Sequence, residues 1–418
     1  MANRRHHWDV PACSRVRKIH NPFMKYFVDS TKIKPNTNKD VIALAVGDPT
    51  FYGNMPTHAA VMDAMMKTLT GNNPNGYVDF LGSMEARKAI AQYITSTETP
   101  LQAENIIVTL GCIGALDLCI ACIANPGQNI LIPRPQFPIY KVICDSYEIE
   151  VKFYDSMPEN NWEMNLEHME SLIDQKTAAI LINNPATPMG VVYSKRHLLD
   201  FLAVAERNKL PVIADEIYAH MVFSGSTFYS LGSLSKTVPI LSCCSLSKRF
   251  LVPGWRVGWI AIHDRNGVFE KQVCQTLKAS AGILGSPSAV HQKALPDIFK
   301  NVPSKFFDDT VAYLERNATL LFQIFMEIPG LTPLMPRTAI FMMIKISLEK
   351  FPEFQDDQEM AEQLATEQNV YCMPGELFLL PGYLRITITL PEDKIIEACD
   401  RIKQFCAKYY KSSPSTAV

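Results

Sequence analysis

From about residue 105 to residue 263, short apolar runs alternate with amphipathic stretches, and this alternation restricts the fold more than any other feature of the chain. "NIIVTLG", "QNILIPRP", "IEVKFYD", "AAILINNP", "LPVIADEIY", "VPILSCC" and "WRVGWIAIH" have strand composition, whereas "KRHLLDFLAVAERNK" has helical periodicity. Strand and helix signals taking turns predict an α/β layer around a largely parallel sheet. The last third reads differently. "TAIFMMIKI" and "YLRITITLP" are strands and "EDKIIEACDRIKQFCAKYY" is an amphipathic helix, which predicts a smaller α+β domain. No internal repeat or low-complexity region interrupts the pattern, and only the tail 411–418, "KSSPSTAV", is expected to be disordered.

With 418 residues, 47% of them hydrophobic, the chain exceeds the usual size of one domain, so two are expected. The 40 Lys and Arg nearly cancel the 42 Asp and Glu, leaving a net charge of -2. Such a balance gives no global field to attract nucleic acid or an anionic membrane, and small molecules are the expected partners. The apolar stretch "ALDLCIACIA" is interrupted by Asp117 and is too short to span a bilayer. The start, "MANRRHHWDV", is basic with no apolar region behind it, which speaks against a secretory signal and only faintly suggests a transit peptide. A cytoplasmic location is expected ahead of a mitochondrial one. The 11 cysteines lie mostly within apolar runs, as reduced thiols of an intracellular core do. Cys119 and Cys122 form a C-x-x-C, but with no second pair and no histidine at ligand spacing they read as core packing, and no metal is expected.

In an open α/β sheet, ligands lie outside the carboxyl ends of the strands. Asn183-Asn184-Pro185 follows "AAILI", Asp215-Glu216-Ile217-Tyr218 follows "LPVIA", and Ser245-Leu246-Ser247-Lys248 follows "VPILSCC". Arg256 closes the loop that holds Lys248. Taken singly, Asn184 could make a turn before proline, Asp215 could cap a helix and Arg256 could pair with a carboxylate. Taken together they meet the needs of one ligand, pyridoxal 5'-phosphate. Its aldehyde needs an amine for a Schiff base (Lys248) and its ring nitrogen a carboxylate (Asp215). Its phenolate oxygen needs donors (Asn184, Tyr218), and its phosphate an arginine and hydroxyls (Arg256, Ser245, Ser247).

These blocks resemble the fold-type I pyridoxal-phosphate aminotransferases, and within that group the animal tyrosine aminotransferases. The stretches that carry the likeness run from "HWDV" to the final helix and include "GDPTFYGNMPT", "ANPGQNILIPRPQF", "NNPATPMGVVYSKRHL", "ADEIYAHMVF" and "LSKRFLVPGWRVGWIAIHDR". The resemblance implies a large cofactor domain at 57–305 built on a mostly parallel seven-stranded sheet, and a small domain made from 1–56 and 306–418. It also implies a homodimer with shared active sites. By the same likeness Phe137 stacks on the cofactor ring, Tyr77 reaches the neighbouring subunit's phosphate, and Gly111 and Cys112 belong to the phosphate loop "TLGCIGA". Arg385 would grip the substrate α-carboxylate, with Gly47 and Asn184 close to it, and 2-oxoglutarate would be the usual acceptor.

The chain departs from the family pattern in places. Leu110 and Ile113 stand where hydroxyls are usual in the phosphate loop, Asp79 replaces a proline in "YVDFLG", and Thr338 replaces a glycine in "RTAIF", near the expected substrate end. The implied activity is transfer of the amino group of an aromatic L-amino acid, with tyrosine ahead of alanine or a kynurenine-like substrate. A binding protein of the same fold with weakened catalysis is the rival from another class.

Overall fold

The computed structural model describes residues 12–412 except 14–16, 18, 35–37, 72–74 and 96–98. Of the tail expected to be disordered, 413–418 lie outside the described residues, as does "HWDV".

The apolar runs form one sheet: β1 (Ile106–Leu110), β2 (Asn129–Arg134), β3 (Glu150–Met157), β4 (Glu163–Met164), β5 (Thr177–Asn183), β6 (Val212–Asp215), β7 (Ile240–Ser245) and β8 (Val257–His263). Their order across it is β1-β8-β7-β6-β5-β2-β3-β4. The pairs β7·β6, β6·β5, β5·β2 and β2·β3 are parallel, and β8 runs antiparallel to both its neighbours. The sheet is therefore eight-stranded, a correction to the expected seven. The extra strand is the two-residue edge β4, antiparallel to β3, and too short to leave a pattern in the sequence. The central β6, Val212 to Asp215, is buried throughout, which is why it reads as a continuous apolar run.

Helices cover the sheet because their apolar stripes need it; α2 (Met84–Ile94), for example, packs Ile90 in one core with Ile106 and Val108 of β1. In α4 (Lys195–Arg207), Ser194 accepts a hydrogen bond from His197 N–H at 3.1 Å and so caps the first turn. Leu198, Phe201, Leu202 and Ala205 fall on the buried stripe, while the Arg196–Asp200 pair, one turn apart, stays in water. α3 (Gly111–Ile123) begins where β1 ends and carries Cys119 into the core against Cys243, 3.7 Å away.

A second sheet holds β9 (Leu331–Leu334), β10 (Phe341–Ile346), β11 (Met373–Pro374) and β12 (Tyr383–Thr387), in the antiparallel order β9-β10-β12-β11. α5 (Ser304–Met326) and α6 (Glu392–Tyr409) pack on it. The segment after α1 (Pro22–Ser30) joins it: Ile42 and Leu44 share a core with Ile386, Ile395 and Phe405, and Thr387 N–H donates to the Leu44 carbonyl at 2.8 Å. Among the described residues no helix is long and apolar enough to cross a membrane.

Candidate active site

β1, β5, β6 and β7 point the same way, so their carboxyl ends share one edge of the sheet. Because β8 runs against them, its first residue lies at that edge, with Val257 opposite Leu110 and Gly258 opposite Ser245. The reversal brings Arg256 to the start of α3. There it donates from Nη2 to the Leu110 carbonyl at 3.3 Å and from Nη1 to the Pro253 carbonyl at 3.1 Å.

Between this edge and the second sheet lies a cavity of about 330 Å³. Gly47, Cys112, Phe137, Asp215, Tyr218, Ser245, Ser247, Lys248, Arg256 and Arg385 all line it. Most of the residues singled out from the sequence thus converge, although they come from opposite ends of the chain. Three do not line it: Gly111 lies just beside it, against the Arg256 guanidinium, and two stand further apart. Tyr77 is fully exposed and outside the cavity. Asn184 is buried behind the lining, with Nδ2 donating to the Tyr229 carbonyl at 3.0 Å and Oδ1 without a partner.

Asp215 is buried at the end of β6. Tyr140 Oη donates to its Oδ2 at 2.7 Å, and Ile217 N–H and the Cys112 thiol donate to Oδ1 at 3.0 and 3.5 Å. Burial pushes this carboxyl above its ordinary range, and the three donors oppose the push. Lys248 Nζ donates to the Gly47 carbonyl at 2.6 Å. Burial lowers its pKa to about 8; the Asp48 charge works the other way, and Arg385 and Arg256 add to the lowering.

Arg385, on β12, is held face-on by two rings. Its guanidinium carbon is 3.8 Å from the centre of Phe341 and 4.7 Å from that of Phe378. Nη2 donates to the Ala45 carbonyl at 3.1 Å, and buried Nε has no partner. Burial lowers this arginine to about 10, which still leaves a cation at neutral pH.

The start of α3 is shaped for an anion. No side chain caps it, so its first backbone N–H groups are open to a ligand. Gly111 has φ +71, and a Cβ there would sit 2.5 Å from Arg256 Nη2. Gly258 opposite leaves no more room, since its Cβ would meet the Gly111 carbonyl carbon at 2.4 Å. Ser245 Oγ and Ser247 are buried beside this corner. An amine, a carboxylate and an arginine-flanked helix start around one cavity suit pyridoxal 5'-phosphate, and the unpartnered Arg385 Nε suits a carboxylate beside it.

The residues that depart from the family pattern have different surroundings. Ile113 lines the cavity and Leu110 lies 46% exposed at the helix start. Asp79 Oδ1 accepts from Leu81 N–H at 2.8 Å and makes the turn itself. Thr338 was expected near the substrate end. It is instead fully buried outside the cavity lining, with its hydroxyl donating to the Met221 carbonyl at 2.7 Å. Tyr140, Phe341, Met373 and the α1 residues Phe23 and Phe27 were not singled out from sequence. Tyr140, three residues after Phe137, was the nearest to a signal.

Comparison with known proteins agrees with this geometry. Residues 39–402 match the family "Aminotransferase class I and II". A tyrosine aminotransferase of Mus musculus is 47% identical over 97% of this chain and 89% of its own length. Among solved structures, the tyrosine aminotransferase of Leishmania infantum superposes with a TM-score of 0.91 at 30% identity, covering 97% of this chain and all (100%) of that one. An alanine aminotransferase of Pyrococcus furiosus gives 0.89 at 25% identity, covering 95% of this chain and 100% of that one. With its open helix start, half-buried amine and hydrogen-bonded carboxylate in that fold, the chain belongs to the class I and II aminotransferases.

Proposed function

We propose that the chain moves the amino group of an aromatic L-amino acid, tyrosine foremost, to 2-oxoglutarate, giving 4-hydroxyphenylpyruvate and glutamate. The observation that carries this reading is the division of the cavity. Polar groups gather at the sheet edge, Arg385 waits between two rings, and Phe23, Phe27 and Phe137 form an apolar wall suited to an aromatic side chain. The likeness to tyrosine aminotransferases supports it.

The cofactor is pyridoxal 5'-phosphate, whose ring acts as an electron sink for the substrate's Cα–H bond. Lys248 would hold its aldehyde, Asp215 its ring nitrogen, Asn184 and Tyr218 its phenolate oxygen, and Phe137 its ring face. Ser245, Ser247 and Arg256, with the N–H groups of Gly111 and Cys112, would hold its phosphate. Arg385 can exchange the Ala45 carbonyl for the substrate carboxylate and engage it with Nε as well, a two-point grip that also orients Cα. Lys248, lowered to about 8, keeps a neutral fraction at pH 7, and its Nζ can take the Cα proton and return it.

The small domain is read as 1–56 with 306–418, around the large domain 57–305. The shared core of Ile42 and Leu44 with α6 supports this division. A homodimer is supported by the exposed apolar side chains Met62, Met66, Leu69, Phe80 and Ile283. In that dimer Tyr77 would serve the neighbouring subunit's site. Free thiols at all cysteines favour the cytoplasm.

The test is purified protein supplied with pyridoxal 5'-phosphate and 2-oxoglutarate, offered tyrosine, phenylalanine, alanine and kynurenine. Tyrosine is expected to have the highest kcat/KM, and a preference for alanine or kynurenine would overturn the assignment. Lys248→Ala should lower turnover by at least about 10²–10⁴-fold, the usual contribution of a positioned acid–base group.

A further inference from the structure

Glu216 follows Asp215 in the chain and is buried beside it, yet nothing in the proposed reaction uses it. Its side chain accepts hydrogen bonds from Leu231 N–H at 2.9 Å and Ser230 Oγ at 3.2 Å, and Ser242 faces it from β7. Its main chain is held as well: N–H donates to the Cys243 carbonyl at 2.9 Å, and C=O accepts from the Cys244 thiol at 3.2 Å. Immediately before the two groups that Glu216 grips, Tyr229 presents its carbonyl to Asn184 Nδ2. An amide nitrogen has two hydrogens. Tyr229 takes one, so the position of its carbonyl decides where the other points.

We propose that Glu216 is a positioning residue for the cofactor site: by holding segment 229–231 it fixes the Tyr229 carbonyl, which turns the remaining N–H of Asn184 toward the cofactor's phenolate oxygen. The proposal rests on the reading of Asn184 given above. It adds two residues, Glu216 and Tyr229, that lie outside the cavity lining.

The groups around Glu216 are consistent with a device that works at neutral pH. It borders a second cavity, of about 270 Å³, with His220, His263, Cys244 and Arg249. Arg249 is engaged elsewhere, donating from Nη1 to the Ala219 carbonyl at 3.4 Å and lying 4.5 Å from the centre of the Phe307 ring. Burial lowers His263 to about 4 and so keeps it neutral. Burial, with a smaller contribution from the Asp215 charge, raises Glu216 to about 7 against the pull of Leu231, Ser230 and Ser242. Protonated, the carboxyl still accepts from Leu231 N–H and donates its own hydrogen to a serine hydroxyl. Glutamine reproduces that form; alanine reproduces neither form.

The test uses the holoenzyme of wild type, Glu216→Ala, Glu216→Gln, Asn184→Ala and the double variant Glu216→Ala/Asn184→Ala. For each, the pH midpoint of the visible cofactor absorption band, the dissociation constant of pyridoxal 5'-phosphate and the Tm are measured. Losing a donor at the phenolate favours its protonated form, so Asn184→Ala should raise the midpoint. Glu216→Ala should raise it too and weaken cofactor binding about tenfold, the scale of a hydrogen bond to a charged group. Glu216→Gln should recover most of that loss. The double variant should match Asn184→Ala alone, because both act through one contact.

A lower Tm for Glu216→Ala with midpoint and binding unchanged would reduce Glu216 to a structural prop and overturn the proposal. Additive effects in the double variant would overturn it too, since the route would not pass through Asn184. If Asn184→Ala itself leaves the midpoint in place, the reading of Asn184 fails and takes the proposal with it; a response to Asn184→Ala with none to Glu216→Ala defeats the proposal alone. Should Glu216→Ala not fold, Glu216→Asp, whose shorter arm pulls 229–231 inward, replaces it under the same criteria.

Discussion

Lys248 is a half-buried cation with no carboxylate ion pair among the described residues; its Nζ is held only by the Gly47 carbonyl. A charge held this way costs stability. The amine loses its proton near pH 8 when folded, against its ordinary value of 10.5, so between those values the unfolded chain binds more protons and stability rises with pH. Below about pH 8 the full cost of the buried charge is carried. Lys248→Met, similar in size and uncharged, should therefore raise the Tm of the cofactor-free protein at pH 7 by about 1–2 °C, roughly the effect of 1–2 kcal/mol on a chain of this length. The gain should shrink as the pH climbs from about 8 past 10. Thermal unfolding at both pH values checks it, and equal Tm values at pH 7 would mean that the charge is solvated. The chemical type of each site residue was legible at this scale: a lysine, an aspartate and an arginine at strand ends are visible in the sequence. Their hydrogen-bond partners were not. Nothing in the sequence pairs Tyr140 with Asp215, 75 positions away, or commits the Asn184 amide to Tyr229.

Among the elements, α3 shows how a departure from the family pattern can be compensated. Leu110 is the residue before its first turn and offers no cap, while Ile113 points a methyl-bearing chain into the cavity where a hydroxyl is usual. The open N–H groups and the Arg256 guanidinium remain to hold a phosphate. Two separable effects are expected. Leu110→Ser supplies a capping hydroxyl and should stabilise the cofactor-free protein by about 1 kcal/mol, at little loss of buried surface because Leu110 is half exposed. Ile113→Ser places a hydroxyl inside the cavity and should tighten pyridoxal 5'-phosphate about tenfold. Thermal unfolding reads the first and equilibrium dialysis, in buffer without phosphate or amines, the second. An unchanged dissociation constant for Ile113→Ser would mean that backbone and Arg256 already satisfy the phosphate. The strands and helices themselves were readable because burial on both faces leaves continuous apolar runs and burial on one leaves a helical stripe. The edge strand β4 escaped because two residues, one of them only half-buried, leave neither signal.

For the whole molecule, the position of Tyr77 makes the sharpest prediction. It lies outside its own chain's cavity, so if it serves a second subunit, a dimer of Lys248→Ala with Tyr77→Ala chains has one intact composite site. Mixing the two inactive variants under conditions of subunit exchange should restore up to about a quarter of wild-type activity, since half the dimers are hybrids and each has one working site of two. No recovery after exchange is verified by mass would count against a shared site. The sequence by itself determined the α/β class and named the candidate residues at one edge of the sheet, because the composition of a strand and the residue at its end are local properties. Only the tertiary structure decided which of those residues meet. The reversal of β8 puts Arg256 against Leu110 across 146 positions, and the docking of β12 beside residues 44–47 brings Arg385 to Lys248. Such contacts depend on strand order and on how two sheets pack, and these are set by the burial of whole faces rather than by any short stretch of residues.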